Sequence, residues 1–266
     1  MAAPLHSASI PGILSRIVAR KREELEALRS RFTEYERMAA HQVKNRRDFS
    51  TALTANPPAI IAEVKKASPS KGLLAETFDP AAIAATYSAG GAAALSVLTD
   101  RDFFQGSLDD LSAARRASGL PVLRKDFTID EFHVVEAAAH SADAILLIAA
   151  VLTESEMRRF RELAESFRMA ALVEVHNESE LEAALASGAR ILGVNSRDLH
   201  TFDVRLETAI DLAAKIPADR IRVAESGIHS RADVAQLRAV GYDAFLVGEH
   251  LMKSADPQAA LKDLRA

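Results

Sequence analysis

From Ile60 onward the chain alternates short apolar runs with longer stretches of helical periodicity. The runs are Ile60–Val64, Ala93–Leu98, Pro121–Leu123, Ala144–Ile148, Ala171–Val175, Ile191–Val194, Ile221–Ala224 and Ala244–Val247. Continuous apolar runs of this length read as strands buried on both faces. Between them lie alanine-rich amphipathic stretches such as Pro80–Ala89, Glu131–His140, Glu154–Phe167, Ser179–Ser187 and Arg231–Ala239, which predict helices. Several close on small residues, as in Ala89-Gly90-Gly91 and Ser187-Gly188-Ala189, where helices commonly end. Residues 1–47 differ in character. Ile13, Ile17, Leu25 and Leu28 recur there at near-helical spacing among Arg16, Arg20, Lys21, Arg22, Glu23 and Glu24, which predicts an amphipathic helix covering another surface. Asn56-Pro57-Pro58 then breaks the chain.

Buried strands joined by helices imply a parallel sheet. Eight of them, at intervals of roughly 20–35 residues in a chain of about barrel length, favour a closed (β/α)8 TIM barrel. A doubly wound open sheet shows the same alternation, so the count favours the barrel and leaves the open sheet as the alternative. The expected organisation is α/β, with a helical extension over residues 1–47 packed on a single barrel over 48–266, one structural domain overall.

Of the 266 residues, 48% are hydrophobic and 26% charged, which suits one large domain with a substantial core. The net charge of −4 is scattered, so neither nucleic acid nor an anionic membrane is an expected partner, and any anion must be held by a local site. The absence of cysteine removes disulfides, thiolate metal sites and cysteine nucleophiles. No apolar run reaches the roughly 20 residues of a membrane-spanning helix. The N-terminus lacks the layout of a secretory signal, so a cytoplasmic location is expected.

Charge then reappears where a barrel would use it, at the downstream strand ends that form the active face. Strand 1 runs into Glu63-Val64-Lys65-Lys66-Ala67-Ser68-Pro69-Ser70-Lys71-Gly72, strand 3 into Arg124-Lys125-Asp126, strand 5 into Glu174, strand 6 into Asn195-Ser196-Arg197 and strand 7 into Glu225-Ser226-Gly227. Polar groups in strand termini cost desolvation free energy, so their convergence on one mouth calls for a function. Residues two apart share a side of the pleat, which pairs Glu63 with Lys65, Leu172 with Glu174 and, if the strand continues, Asn195 with Arg197. Taken singly, each of these is as readily a structural ion pair at the rim. The Ser68–Gly72 loop, Ser226-Gly227 and Gly248-Glu249 suggest a phosphate cradle built from backbone N–H groups, with the Glu249 carboxylate turned away. The histidines show no metal-ligand spacing, and His176, notable for following Glu174 closely, reads first as an ordinary loop residue.

Ile61-Ala62-Glu63-Val64-Lys65-Lys66-Ala67-Ser68-Pro69-Ser70-Lys71-Gly72 resembles the strand-1 signature of the indole-3-glycerol-phosphate synthase family. Phe103-Phe104-Gln105-Gly106-Ser107, Val122–Phe127, Val173-Glu174-Val175, Gly193–Leu199 and Ala224–Ile228 resemble its later signatures, in the family's order and over essentially the whole chain. His250 departs from the pattern, standing where a small residue is expected. The resemblance implies ring closure, decarboxylation and dehydration of 1-(2-carboxyphenylamino)-1-deoxyribulose 5-phosphate in tryptophan biosynthesis, with no cofactor and no metal. It implies Lys125 as general acid, helped to release its proton by neighbouring cations, Glu174 as base and Lys65 assisting departure of water. The assignment of lysine to step stays open, since two lysines share the mouth. By the same resemblance, Glu63 orients Lys125 or substrate hydroxyls, and Asn195 and Arg197 hold the anthranilate carboxylate and hydroxyls. Glu225 supports hydroxyls, Phe104 and Leu146 wall the ring pocket, and Ser68, Ser226, Gly227, Gly248 and the Glu249 backbone bind phosphate. A phosphorylated small molecule is the expected partner of a monomer or weak homodimer, with docking to a neighbouring pathway enzyme left open. The alternatives are the sister barrel phosphoribosylanthranilate isomerase, which uses a cysteine this chain lacks, and a catalytically silent phosphate-binding barrel.

Overall fold

Eight parallel strands close on themselves in the computed structural model, which describes residues 12–69, 71–75, 77–199 and 201–266. They are β1 (Ala59–Val64), β2 (Ala94–Leu98), β3 (Val122–Lys125), β4 (Ala144–Ile148), β5 (Ala170–Val175), β6 (Ile191–Asn195), β7 (Ile221–Glu225) and β8 (Ala244–Val247). Each pairs with its neighbours in sequence, and β1 pairs with β8 through Ala59↔Ala244 to Ala62↔Val247, which closes the barrel. The open-sheet alternative is thereby removed. Every residue of β1, β2, β4 and β8 is buried, as continuous apolar runs require when helices cover the outside and side chains fill the inside.

The barrel helices begin where the sequence supplies caps. Asp79 accepts from Ala81 and Ala82 N–H ahead of Pro80, Thr153 and Glu156 form a reciprocal capping box, and Ser230 and Asp233 form another. These fix the starts of α4 (Pro80–Ala89), α7 (Glu154–Ser166) and α10 (Arg231–Ala239). The remaining barrel helices are α5 (Leu108–Ser118), α6 (Glu131–Ala139), α8 (Glu178–Ala186), α9 (Leu206–Ala213), α11 (Glu249–Lys253) and α12 (Pro257–Arg265). The helix after β8 forms with His250 in its first turn.

Ahead of the barrel lie α1 (Gly12–Leu28), α2 (Phe32–Gln42) and α3 (Phe49–Thr54). α2 packs on α6, where the Tyr35 ring meets Phe132 edge-on at 5.4 Å between centroids. α1 buries Leu14, Ile17, Val18 and Leu25, but also Lys21, which the sequence reading had grouped with the helix's charged residues. Its ammonium lies 2.9 Å from Asp100, 3.0 Å from Asp126 and 3.1 Å from Glu24. Attraction to Asp126 and Asp100 outweighs the penalty of burial and keeps Lys21 charged. Arg20 to Asp102 on the same helix, and Arg29 to Asp130 just past its end, add exposed pairs. Ionic contacts thus fasten α1 to the loops after β2 and β3. Residues 1–11 of the expected extension and Ser70 of the expected phosphate loop lie outside the described residues.

Candidate active site

The downstream strand ends open into a cavity of about 480 Å³, lined by every one of the fourteen residues selected from the sequence. The pleat sorts them. On β3, Lys125 faces the cavity while Arg124 turns outward to Glu136 at 2.8 Å and Asp126 at 3.1 Å. The outward pair joins the Lys21 anchor, so neighbouring charges on one strand end serve different structures.

At the centre, Lys125 Nζ lies 2.8 Å from Glu174 Oε2 and 3.4 Å from Glu225 Oε2. Burial favours loss of its proton, but attraction to Glu174, Glu225 and Glu63 prevails and holds the ammonium protonated well above the ordinary lysine range. This corrects the expectation that neighbouring cations loosen that proton: its close partners are carboxylates. Nor does Glu63 bond Lys125; it accepts a hydrogen bond from Lys65, its partner on the same side of the pleat.

The other two carboxylates are driven apart. Burial would raise Glu174, yet Lys125 on one side and His176 on the other hold it ionised, well below the usual range. Burial also raises Glu225; Lys125 offsets part of this, while the charges of Glu174 and Glu63 add to it, so its carboxyl is pushed up. Its Oε1 is buried and, among the described residues, has no hydrogen-bond partner. Two glycines seat these groups. A Cβ at Gly193 would overlap Glu225 Oε1, and one at Gly248 would overlap Glu63 Oε1. Gly248 therefore makes room for a catalytic-mouth carboxylate, beyond the phosphate role read from sequence.

The rim is polar. Asn195 Oδ1 accepts from Ser226 Oγ at 2.8 Å and from Arg197 N–H at 3.1 Å. Ser226 is left-handed with φ 65°, followed by Gly227 at φ 75°. A left-handed serine costs about 1–2 kcal/mol, so the turn that brings it to the mouth is held by its surroundings. Arg197 lies past the end of β6 but keeps its side through a bridge to Val204, and its Nη1 donates to Phe202 O at 3.2 Å. The Glu249 carboxylate does not turn away as expected. It accepts from Lys253 at 2.7 Å and stands 3.9 Å from Arg197 and 4.0 Å from Lys71, an anionic post among rim cations. Phe104 packs against Phe127 at 6.1 Å and, with Leu146, forms an apolar wall.

Ile13, Leu14 and Ile17 of α1 line the cavity, so the extension shapes the entrance as well as covering the barrel. Two charged residues escaped the sequence reading. Lys21 was findable, since Ile17, Lys21 and Leu25 fall four apart on one helical face. His176 was findable too: it shares its side of the pleat with Glu174, and it is buried against that carboxylate. Among the described residues, no group of three or more histidine and acidic side chains is placed to hold a metal ion.

An ammonium ringed by carboxylates, with a cationic rim, stands at the C-terminal mouth of a (β/α)8 barrel, the face where barrel enzymes carry their active sites. Likeness to solved structures supports the fold alone. A thiamine phosphate pyrophosphorylase from Pyrococcus furiosus is 18% identical with TM-score 0.59, covering 78% of this chain and 93% of that one. A 3-hexulose-6-phosphate synthase is 15% identical with TM-score 0.61, covering 78% and 98%. Sequence likeness is closer. The family model for indole-3-glycerol phosphate synthase matches residues 14–264. Curated synthases of that name from Polaromonas sp. (strain JS666 / ATCC BAA-500) and Burkholderia vietnamiensis (strain G4 / LMG 22486) are each 51% identical, covering 95% and 94% of this chain and 97% of each relative. One from Variovorax paradoxus (strain S110) is 49% identical over 96% of this chain and 99% of its own length. The chain belongs to the indole-3-glycerol phosphate synthase family.

Proposed function

We propose that this mouth performs the family's reaction through Lys125, Glu174, Lys65 and Glu63, with the rim holding the phosphorylated substrate. Family membership makes the chain a carboxy-lyase of tryptophan biosynthesis and decides against the sister isomerase. The substrate is 1-(2-carboxyphenylamino)-1-deoxyribulose 5-phosphate. Its ring carbon bearing the carboxylate attacks the ribulose carbonyl, whose oxygen takes a proton from Lys125. The carboxylate leaves as carbon dioxide, returning its bonding pair to the ring. The hydroxyl then departs as water on a proton from Lys65, while a ring methylene proton passes to Glu174.

The electrostatics support that order. Lys125 is held charged by its carboxylates, as an acid must be before it donates. Glu174 is a weak base while Lys125 carries its proton, and it becomes more basic once that proton is given up, because its nearest cation has been neutralised. Glu63 holds Lys65 in place. Asn195 and Arg197 are read as holding the anthranilate carboxylate and hydroxyls, an arginine fork suiting a carboxylate. Glu225 is read as supporting hydroxyls, and Phe104 and Leu146 as walling the aromatic ring. Ser68, Ser226, Gly227, Gly248 and the Glu249 backbone are assigned to the phosphate. The reading extends to a cytoplasmic enzyme, a monomer or weak dimer, with residues 1–47 as an extension on the barrel. Among the described residues, no helix is long and apolar enough to cross a membrane.

The Lys125–Glu174 pair at 2.8 Å inside the cavity carries this reading. Incubation with the substrate, followed by indole fluorescence, tests it; the background is low because the chain has no tryptophan. Signal growth in the wild type and none in Lys125→Ala is the expected result. A folded wild-type protein that yields no indole would overturn the activity, and undiminished turnover in Lys125→Ala would remove Lys125 from the acid role.

A further inference from the structure

Behind the cavity, the His176 ring is wedged between two carboxylates. Its Nδ1 lies 3.0 Å from Glu180 Oε2 in a hydrogen bond, and its Nε2 lies 3.4 Å from Glu174 Oε1, a charge contact without hydrogen-bond geometry. The side chain is only 10% exposed, so water does not separate these charges. Glu180 belongs to the first turn of α8 and is itself fixed, accepting from the His176 backbone N–H at 2.8 Å and from Asn177 Nδ2 at 2.7 Å. Either neutral tautomer of the ring would aim a bare nitrogen lone pair at one of the two carboxylates. Only the imidazolium sets positive charge against both.

The lining of the cavity does not include His176, so the ring acts through Glu174. Glu174 Oε2 is taken by Lys125, and Oε1 faces His176. We infer that His176 is a positioning residue: a charged imidazolium that holds the rear oxygen of Glu174, fixes which oxygen meets Lys125, and keeps Glu174 ionised until it takes its proton. This rests on the reading of Glu174 as part of the reacting cluster. The charged groups around the ring are Glu174 from β5 and Glu180 from α8, with Lys125 and Glu225 beyond Glu174. Burial lowers the ring's pKa, but the close carboxylates of Glu174 and Glu180 reverse this and raise it to about 10. Glu180 thereby belongs to the active site without touching it, carrying the constraint from α8 to Lys125.

Nitrogen NMR of the wild-type histidines gives one test. The His176 resonance, assigned by its loss in His176→Gln, is expected to show both nitrogens protonated at pH 8, where an ordinary histidine is neutral. In Glu180→Gln the same resonance should titrate at lower pH. Kinetics give the second test. His176→Gln is expected to lower kcat by roughly 10- to 100-fold through misplacement of Glu174, with KM changed much less. The acidic limb of its pH profile should move to higher pH, because a carboxylate that loses a cationic neighbour becomes more basic. A neutral His176 ring at pH 8 overturns the inference, as does a folded His176→Gln enzyme with wild-type kcat and profile. Should His176→Gln not fold, the wild-type spectrum decides alone, with Glu180→Gln supplying the assignment through its shifted resonance. Glu174→Gln in the same assay separates the two readings. If it retains full turnover, the role of Glu174 fails; if it is crippled while His176→Gln is not, only the role of His176 fails.

Discussion

Gly193→Ala tests whether Glu225 needs the seat that β6 gives it. The added methyl would stand well inside 3.0 Å of Glu225 Oε1, 3.3 Å from its Cδ and 3.2 Å from Leu172 Cδ1. Because Glu225 is 2% exposed and Leu172 fully buried, neither has solvent to move into. The carboxylate must therefore retreat by about 1 Å, the kind of overpacking that costs roughly 1–3 kcal/mol. In a chain of this size that lowers the thermal midpoint by about 2–10 °C. Glu225 Oε2 is 3.4 Å from Lys125, so the displacement reaches the acid, and a 1 Å error there costs up to about 100-fold in rate. Calorimetry and the indole fluorescence assay read the two effects separately. In the double variant Gly193→Ala/Glu225→Ala the overlap is gone, so stability should partly return while turnover does not. A Gly193→Ala enzyme with wild-type midpoint and kcat, or a double variant no more stable than Gly193→Ala, would refute the reasoning.

Other perturbations separate the parts of the site. Lys21→Met keeps the helical length but leaves Asp100 and Asp126 buried without their shared cation, and breaking a buried pair in this way costs about 3–5 kcal/mol; an unchanged urea midpoint would show that α1 is not anchored by that charge. Ser226→Asp places a carboxylate at the proposed cradle and is expected to raise KM with kcat changed little, so an unchanged KM would move the phosphate elsewhere. Glu225, whose folded pKa is raised, binds its proton more tightly folded than unfolded. Its stabilising contribution is full below the ordinary carboxylate pKa of 4.5 and lost as pH rises through the elevated folded value. Wild type should consequently lose stability more steeply than Glu225→Gln between pH 5 and 8 in urea titrations, and parallel curves would count against a protonated Glu225.

Much of this protein was determined by local sequence. Continuous apolar runs specified the strands to within a residue or two, because a strand covered by helices outside and side chains inside has no polar face to hide the signal. Period-two alternation then picked Glu63 with Lys65, Glu174, and Asn195 with Arg197, and all of them line the cavity. Tertiary structure decided what those groups do to one another. Lys125 sits among carboxylates delivered by β1, β5 and β7, far apart in sequence, so the sign of its environment depended on barrel closure. Glu249 faces rim cations instead of turning away, because Arg197 and Lys71 arrive from other loops. Lys21 and His176 are charged groups buried by partners on separate elements, and a charge is tolerated in such places only where the fold brings its counter-charge. Spacing along the chain reports which side a residue faces; the identity of its neighbours there is fixed only when distant segments pack.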